Sequence, residues 1–212
     1  MEEVSIWLGE EQVTLLGSLT IPKNAKIVVI FAHGSGSGRF SPRNQFVARY
    51  LNKEGIATLL MDLLTREEEV IDEVTRELRF DIPLLARRLT GVSLWLEHHR
   101  EAHPLKIAYF GASTGAAAAL ISAAQDESEV VSVVSRGGRP DLAASVLSQV
   151  KAPTLLIVGG NDLEVINLNM KAFDLLTGTK KMEIVPGATH LFEEPGTLEE
   201  VARLAASWFK GS

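Results

Sequence analysis

Short apolar runs alternate with longer segments of helical period through most of this chain, and that alternation constrains the fold more than any other feature. Parallel βαβ units require it, because a crossover helix must cover the sheet between successive parallel strands. The most telling run is Lys26-Ile-Val-Val-Ile-Phe-Ala32, nearly all apolar, as a strand covered on both faces must be. It is predicted to be central. Seven more strands are predicted at Val4–Leu8, Val13–Ile21, Ile56–Asp62, Lys106–Phe110, Val130–Ser135, Thr154–Val158 and Lys181–Val185. Gly9-Glu10-Glu11-Gln12 joins the first two as a hairpin of antiparallel edge strands.

Ser41-Pro42 reads as the start of a helix that Gly55 closes. Leu85, Leu89, Val92 and Leu96 give Ile82–His99 the spacing of an amphipathic helix, weakened slightly by Gly91. Further helices are predicted near Gly115–Ala124, Leu142–Val150, Val165–Leu176 and Leu198–Phe209. The expectation is one domain over residues 1–212, an α/β, doubly wound, mostly parallel eight-stranded sheet with helices on both faces. Ligands of such sheets bind beyond the carboxyl ends of the parallel strands.

Composition narrows the chemistry. There is no cysteine, which excludes disulfides, a thiolate-bound metal and a cysteine nucleophile. With 21 Lys+Arg against 27 Asp+Glu, the net charge of -6 predicts no nucleic-acid partner and no attraction to anionic membranes. Residues Met1 to Glu10 carry no long apolar stretch, so neither a signal peptide nor an anchor is expected, and the default compartment is cytoplasmic. Thr65 to Asp81 is dense in charge, including Arg66-Glu-Glu-Glu69, and reads as a solvated excursion, or else as a small lid.

Three motifs follow predicted strands. Gly111-Ala-Ser-Thr-Gly115 matches G-x-S-x-G between a strand and an Ala-rich helix, which makes Ser113 the candidate nucleophile, although an N-cap serine in a tight turn fits the same string. A serine hydroxyl needs a base, and His190, in Val185-Pro-Gly-Ala-Thr-His190-Leu-Phe after the last strand, is the candidate. His98, His99 and His103 sit at a helix end and its exit, where capping carbonyls explains them. A carboxylate should orient the imidazole. Asp162, after the penultimate strand, is preferred to Asp141, which an N-cap role explains. The chain order Ser, Asp, His is that of α/β-hydrolases.

For the oxyanion, the expected donors are the backbone N–H of Thr114 and one from His33-Gly-Ser-Gly-Ser-Gly38, with Ser35 nominated and Gly36 as the near alternative. His33 is read as a support for that loop. Its G-x-G-x-G spacing lacks both the dinucleotide and the P-loop patterns.

On HGSGSG, GASTG, GGND and GATHLF, the chain resembles the dienelactone hydrolase-like branch of the α/β-hydrolases over nearly its whole length. The resemblance implies that fold with a small or absent cap, and esterase, lactonase or thioesterase chemistry through an acyl-enzyme, with no cofactor and no metal. Dienelactone hydrolases proper use cysteine where this chain has Ser113. Arg39, Arg43, Arg136 and Arg139 follow two of the site loops and are candidates for binding an anionic substrate, or else partners of Asp62 and Asp141. The expected partner is a small ester-like molecule, and the expected state a monomer or small homo-oligomer. Acyl transfer, or ligand binding on the same fold with little turnover, are the alternative functions.

Overall fold

The computed structural model describes residues 1–125 and 129–211. Eight strands form one sheet: β1 (Glu2–Leu8), β2 (Val13–Thr20), β3 (Ile27–Ala32), β4 (Ala57–Met61), β5 (Lys106–Ala112), β6 (Val130–Arg136), β7 (Thr154–Gly159) and β8 (Lys180–Val185). Their order is β1-β2-β4-β3-β5-β6-β7-β8. From β4 to β8 the pairing is parallel, so β3 is central and fully buried. Along β3 the residues alternate between two cores, with Val28, Ile30 and Ala32 in one and Ile27, Val29 and Phe31 in the other.

The described residues form six α-helices, α1 (Pro42–Lys53), α2 (Arg66–Thr75), α3 (Ile82–Glu97), α4 (Thr114–Ala123), α5 (Leu163–Leu175) and α6 (Thr197–Lys210), and all but the largely exposed α2 cover the two faces. α1 packs on α6 on one face, and α3 on α4 on the other. Such a two-faced, mostly parallel sheet, opened by an antiparallel pair, is the α/β-hydrolase architecture.

Two expectations need amendment. β1 is an edge strand, but β2 is not, because its outer hydrogen-bonding edge pairs antiparallel with β4 from Gly17↔Met61 to Thr20↔Thr58. Residues 142–150 form two 3₁₀ turns, Pro140–Ala143 and Leu147–Gln149, instead of an α-helix. Bonds of the i→i+3 type recur there, and they bury Ala143, Leu147 and Val150 at the spacing that imitates an α-helical stripe.

The charged segment after β4 is mostly exposed, in keeping with a solvated excursion, and is ordered locally. Thr65 Oγ1 accepts the Glu68 N–H and Glu68 Oε2 accepts the Thr65 N–H, a capping box that starts α2. Glu67, Glu68 and Glu69 occupy the first turn, where the helix dipole favours negative charge. Leu78–Phe80 follows as a 3₁₀ turn, and Asp72 binds the backbone and side chain of Arg79. α2 and the His33–Gly38 loop face each other across a cavity of about 1360 Å³.

Candidate active site

At the end of β5 the chain turns into α4 through Ser113, whose backbone lies at φ 50° and ψ -122°. Such a conformation costs a non-glycine residue on the order of 1–3 kcal/mol and persists only where the surroundings enforce it. The enforcement is visible on both sides. A Cβ at Gly111 would stand 2.4 Å from Ala116 Cα, and one at Gly115 would stand 2.1 Å from the Ala32 carbonyl oxygen. Only glycine allows helix, turn and central strand to approach this closely. The Ser113 N–H donates to the Arg136 carbonyl (3.3 Å), and the Arg139 N–H donates to the Ser113 carbonyl (3.0 Å). Ser113 makes no side-chain capping bond to α4, so its hydroxyl is not committed to the helix.

His190 lies on the loop between β8 and α6, and its Nδ1 is 2.7 Å from Asp162 Oδ2. Asp162 occupies the N-cap position of α5 yet makes no capping bond, its carboxylate being turned to the imidazole. The loops carrying the two are stitched together by Gly160 N–H to Val185 O (2.8 Å) and Asn161 N–H to Ala188 O (2.9 Å). Asp162 is mostly buried while the ring of His190 is 39% exposed, as suits an orienting carboxylate behind a base that must reach a substrate.

Ser113 and His190 share a neighbour, since a Cβ at Gly137 would lie 3.6 Å from His190 Cε1, and Gly137 follows the residue whose carbonyl binds Ser113. The Ser113 hydroxyl is not hydrogen-bonded to the ring among the described residues; in ligand-free hydrolases this contact is often long and tightens on substrate binding. Asp141 accepts both forks of Arg139 and plays no part at His190. His98 and His103 bind carbonyls of Leu94 and Arg100, and His99 packs on Trp95, all at the far end of α3.

Gly34 is the part of the His33–Gly38 loop nearest the serine, with only 3.0 Å between a would-be Cβ and Ser113 Cβ. Beyond it, Gly34 O accepts from Ser37 N–H in a tight turn that puts Gly36 at φ 69°. The Ser35 N–H donates to Thr114 Oγ1 (3.0 Å), so the first nominated donor is engaged, whereas that of Gly36 takes no hydrogen bond among the described residues.

His33 anchors the loop from beneath. Its Nε2 accepts the Leu63 N–H (3.0 Å), which leaves the proton on Nδ1 to be donated to Gly34 O (2.9 Å). Burial pushes the His33 imidazole below its ordinary value, favouring this neutral tautomer.

The four arginines divide. Arg39 pairs with Asp62 and lies near Glu3, and Arg139 makes a bidentate pair with Asp141. Arg43 contacts exposed Glu193 (3.2 Å), and Arg136 is buried beside Asn44 and Phe192. Of the two readings of the arginines, partnership with Asp62 and Asp141 is therefore the one seen for Arg39 and Arg139.

Two residues escape the motif reading. Fully buried Asn169 donates to Gly138 O (3.0 Å) and Val165 O (2.8 Å), tying α5 to the turn beside Ser113. Its trace in the sequence is a polar residue on the stripe of Val165 and Ala172. Phe192, 1% exposed at φ 55°, wedges the His190 loop in place, and nothing in its local sequence announces that conformation.

With this geometry in view, comparison with known proteins is specific. The model of the dienelactone hydrolase family matches residues 15–210, and the chain belongs to that family of α/β-fold hydrolases. A crystal structure of a dienelactone hydrolase from Anabaena variabilis shares 58% sequence identity, covering 99% of this chain and 96% of that one, with a TM-score of 0.96. Est1E from Butyrivibrio proteoclasticus, at 15% identity and a TM-score of 0.81 over 99% and 98% of the two chains, shares the fold. Two Mycobacterium tuberculosis proteins, provisionally named phosphoribosyl transferases, are 54% identical over 208 residues. That match covers 98% of this chain and 46% of theirs, so the chain spans about half the length of these relatives. No helix among the described residues is long and apolar enough to cross a membrane.

Proposed function

We propose that the chain is a serine hydrolase that cleaves a carboxylic ester, lactone or thioester through an acyl-enzyme, with Ser113 as nucleophile, His190 as base and Asp162 as its orienting acid. The observation that carries this reading is the 2.7 Å contact of His190 with an aspartate that has given up its helix-capping role, beside a strained serine at a strand-to-helix turn. The serine fits the family's chemistry with an oxygen nucleophile in place of sulfur.

In this mechanism His190 Nε2 takes the Ser113 proton as Oγ attacks the carbonyl carbon, and Asp162 stabilises the imidazolium that results. The oxyanion rests on the Thr114 N–H and on a donor from the 34–36 loop. Ser35 serves if its N–H exchanges Thr114 Oγ1 for the substrate oxygen; Gly36 serves without exchange. His190 then protonates the leaving group, and water, activated by the same ring, releases the acyl group.

The transferase name of the Mycobacterium relatives we attribute to the part of those proteins outside the match. A fluorophosphonate probe should label the chain at Ser113, and Ser113→Ala should abolish both labelling and turnover of 4-nitrophenyl esters, a loss on the order of 10⁴-fold or more, while the melting temperature holds. Wild-type turnover by that variant would overturn the assignment.

A further inference from the structure

Among the described residues two arginines are buried, and they are treated differently. Arg88, 2% exposed, is held between Glu11 (3.0 Å) and Glu68 (2.6 Å), so its charge is compensated inside the fold. Arg136, 5% exposed, has no carboxylate partner among the described residues. Its one side-chain hydrogen bond among the described residues is a long one (3.4 Å) from Nη2 to the neutral amide of Asn44; its Nε is sealed from solvent with no partner there, and the ring of Phe192 lies at 5.8 Å.

The neighbouring charge makes this worse. Burial first, and then the guanidinium of Arg43, lower Arg136 to about 10, which still leaves it ionised at neutral pH. Arg43 itself spends one nitrogen on exposed Glu193, and its Nε is buried without a partner. Both arginines meet at the start of α1, whose first turn contains no acidic residue. Two guanidinium groups and a helix N-terminus thus point positive charge at one place, and a buried charge left uncompensated is strongly destabilising.

The place is tied to the candidate site through the Arg136 backbone and the Phe192 ring. The Arg136 carbonyl accepts the Ser113 N–H, and Phe192 lies two residues beyond His190. We propose that Arg136 and Arg43, with Asn44 alongside, form a subsite for an oxyanion, carboxylate or phosphate, carried by the substrate. Guanidinium forks suit both groups, and the missing carboxylate of the fold is supplied by the ligand. The word substrate rests on the hydrolase reading; the anion site does not.

Two measurements test this separately. In the first, kcat/KM is compared for 4-nitrophenyl esters of matched length ending in a methyl, a carboxylate or a phosphate. The wild type should favour an anionic member at least tenfold, the preferred anion identifying the source, and Arg136→Gln should cut that preference at least tenfold, chiefly through KM. In the second, inorganic phosphate and glutarate are titrated against wild type and Arg136→Gln by calorimetry. Binding should weaken at least tenfold in the variant, whose melting temperature should not fall, because the lost side chain was an uncompensated charge. Should Arg136→Gln not fold, Arg43→Gln carries the same two readouts. A wild type that neither prefers anionic esters nor binds the free anions, or variants that leave both quantities within twofold, would overturn the subsite. If no ester is turned over and Ser113 is not labelled, the hydrolase reading falls and the titration still decides the anion site.

Discussion

The two flanks of the His33–Gly38 loop are built on opposite principles. On the Ser113 flank, geometry is imposed from a distance: Gly115 is pressed against the carbonyl of the central strand, Ser113 hangs between backbone groups of residues 136 and 139, and Phe192 is forced to positive φ. On the α2 flank, order is local. Thr65 and Glu68 cap the helix, Asp72 and Arg79 close its end, and Val70, Ile71 and Val74 remain exposed. The contrast teaches that a strained residue such as Ser113 needs a scaffold that over-determines its position, whereas the wall opposite needs only to hold itself together.

Substitutions should separate the flanks by the size of their effects. Gly115→Ala attacks the first directly, since its methyl would meet two backbone carbonyl oxygens at 2.1 and 2.5 Å. We expect a loss of more than about 4 kcal/mol in chemical denaturation, or no folded protein; a loss under about 1 kcal/mol would show that the turn is not over-determined.

His33 sits at the junction and can be read through pH. Its folded value is depressed, so its stabilising contribution is complete above the unfolded value of about 6.5 and is lost as pH falls from there through the lowered folded value. Over that window wild-type stability should drop more steeply than that of His33→Gln, by up to about 1.4 kcal/mol per pH unit. Equal slopes would mean that the ring is not held neutral.

The smallest effect belongs to the second flank. Thr65→Ala removes the cap acceptor of α2 and should cost about 1 kcal/mol there, read as roughly fivefold faster amide exchange within α2. Amides of β3 and β5 should exchange as before. If they also speed up, the two flanks are coupled.

Much of the sheet could be read from the chain because its signals are local. The apolar run at β3, the hairpin before it and the helical periods of α1, α3, α5 and α6 each specify themselves over a dozen residues or so. The two errors lie where a local pattern has two solutions. A buried stripe at residues 143, 147 and 150 fits 3₁₀ turns as well as a helix, and a hairpin does not reveal which strand takes its second edge. At the site, Ser113, Asp162 and His190 stand out because each residue type falls just past a strand. Asn169 and Phe192 do not, because their roles consist of contacts with residues far away in the sequence.

By itself, then, the sequence determined the alternation of strands and helices, the central place of β3, and the strand ends at which a hydroxyl, a carboxylate and an imidazole are presented. Only the tertiary structure decided which charges are satisfied. Arg39 and Arg139 are neutralised by Asp62 and Asp141, Arg88 by two glutamates brought from separate segments, and Arg136 by no carboxylate among the described residues. The physical reason is that periodicity is a property of neighbours along the chain, whereas the state of a buried charge depends on which groups the packed chain carries within a few ångströms of it.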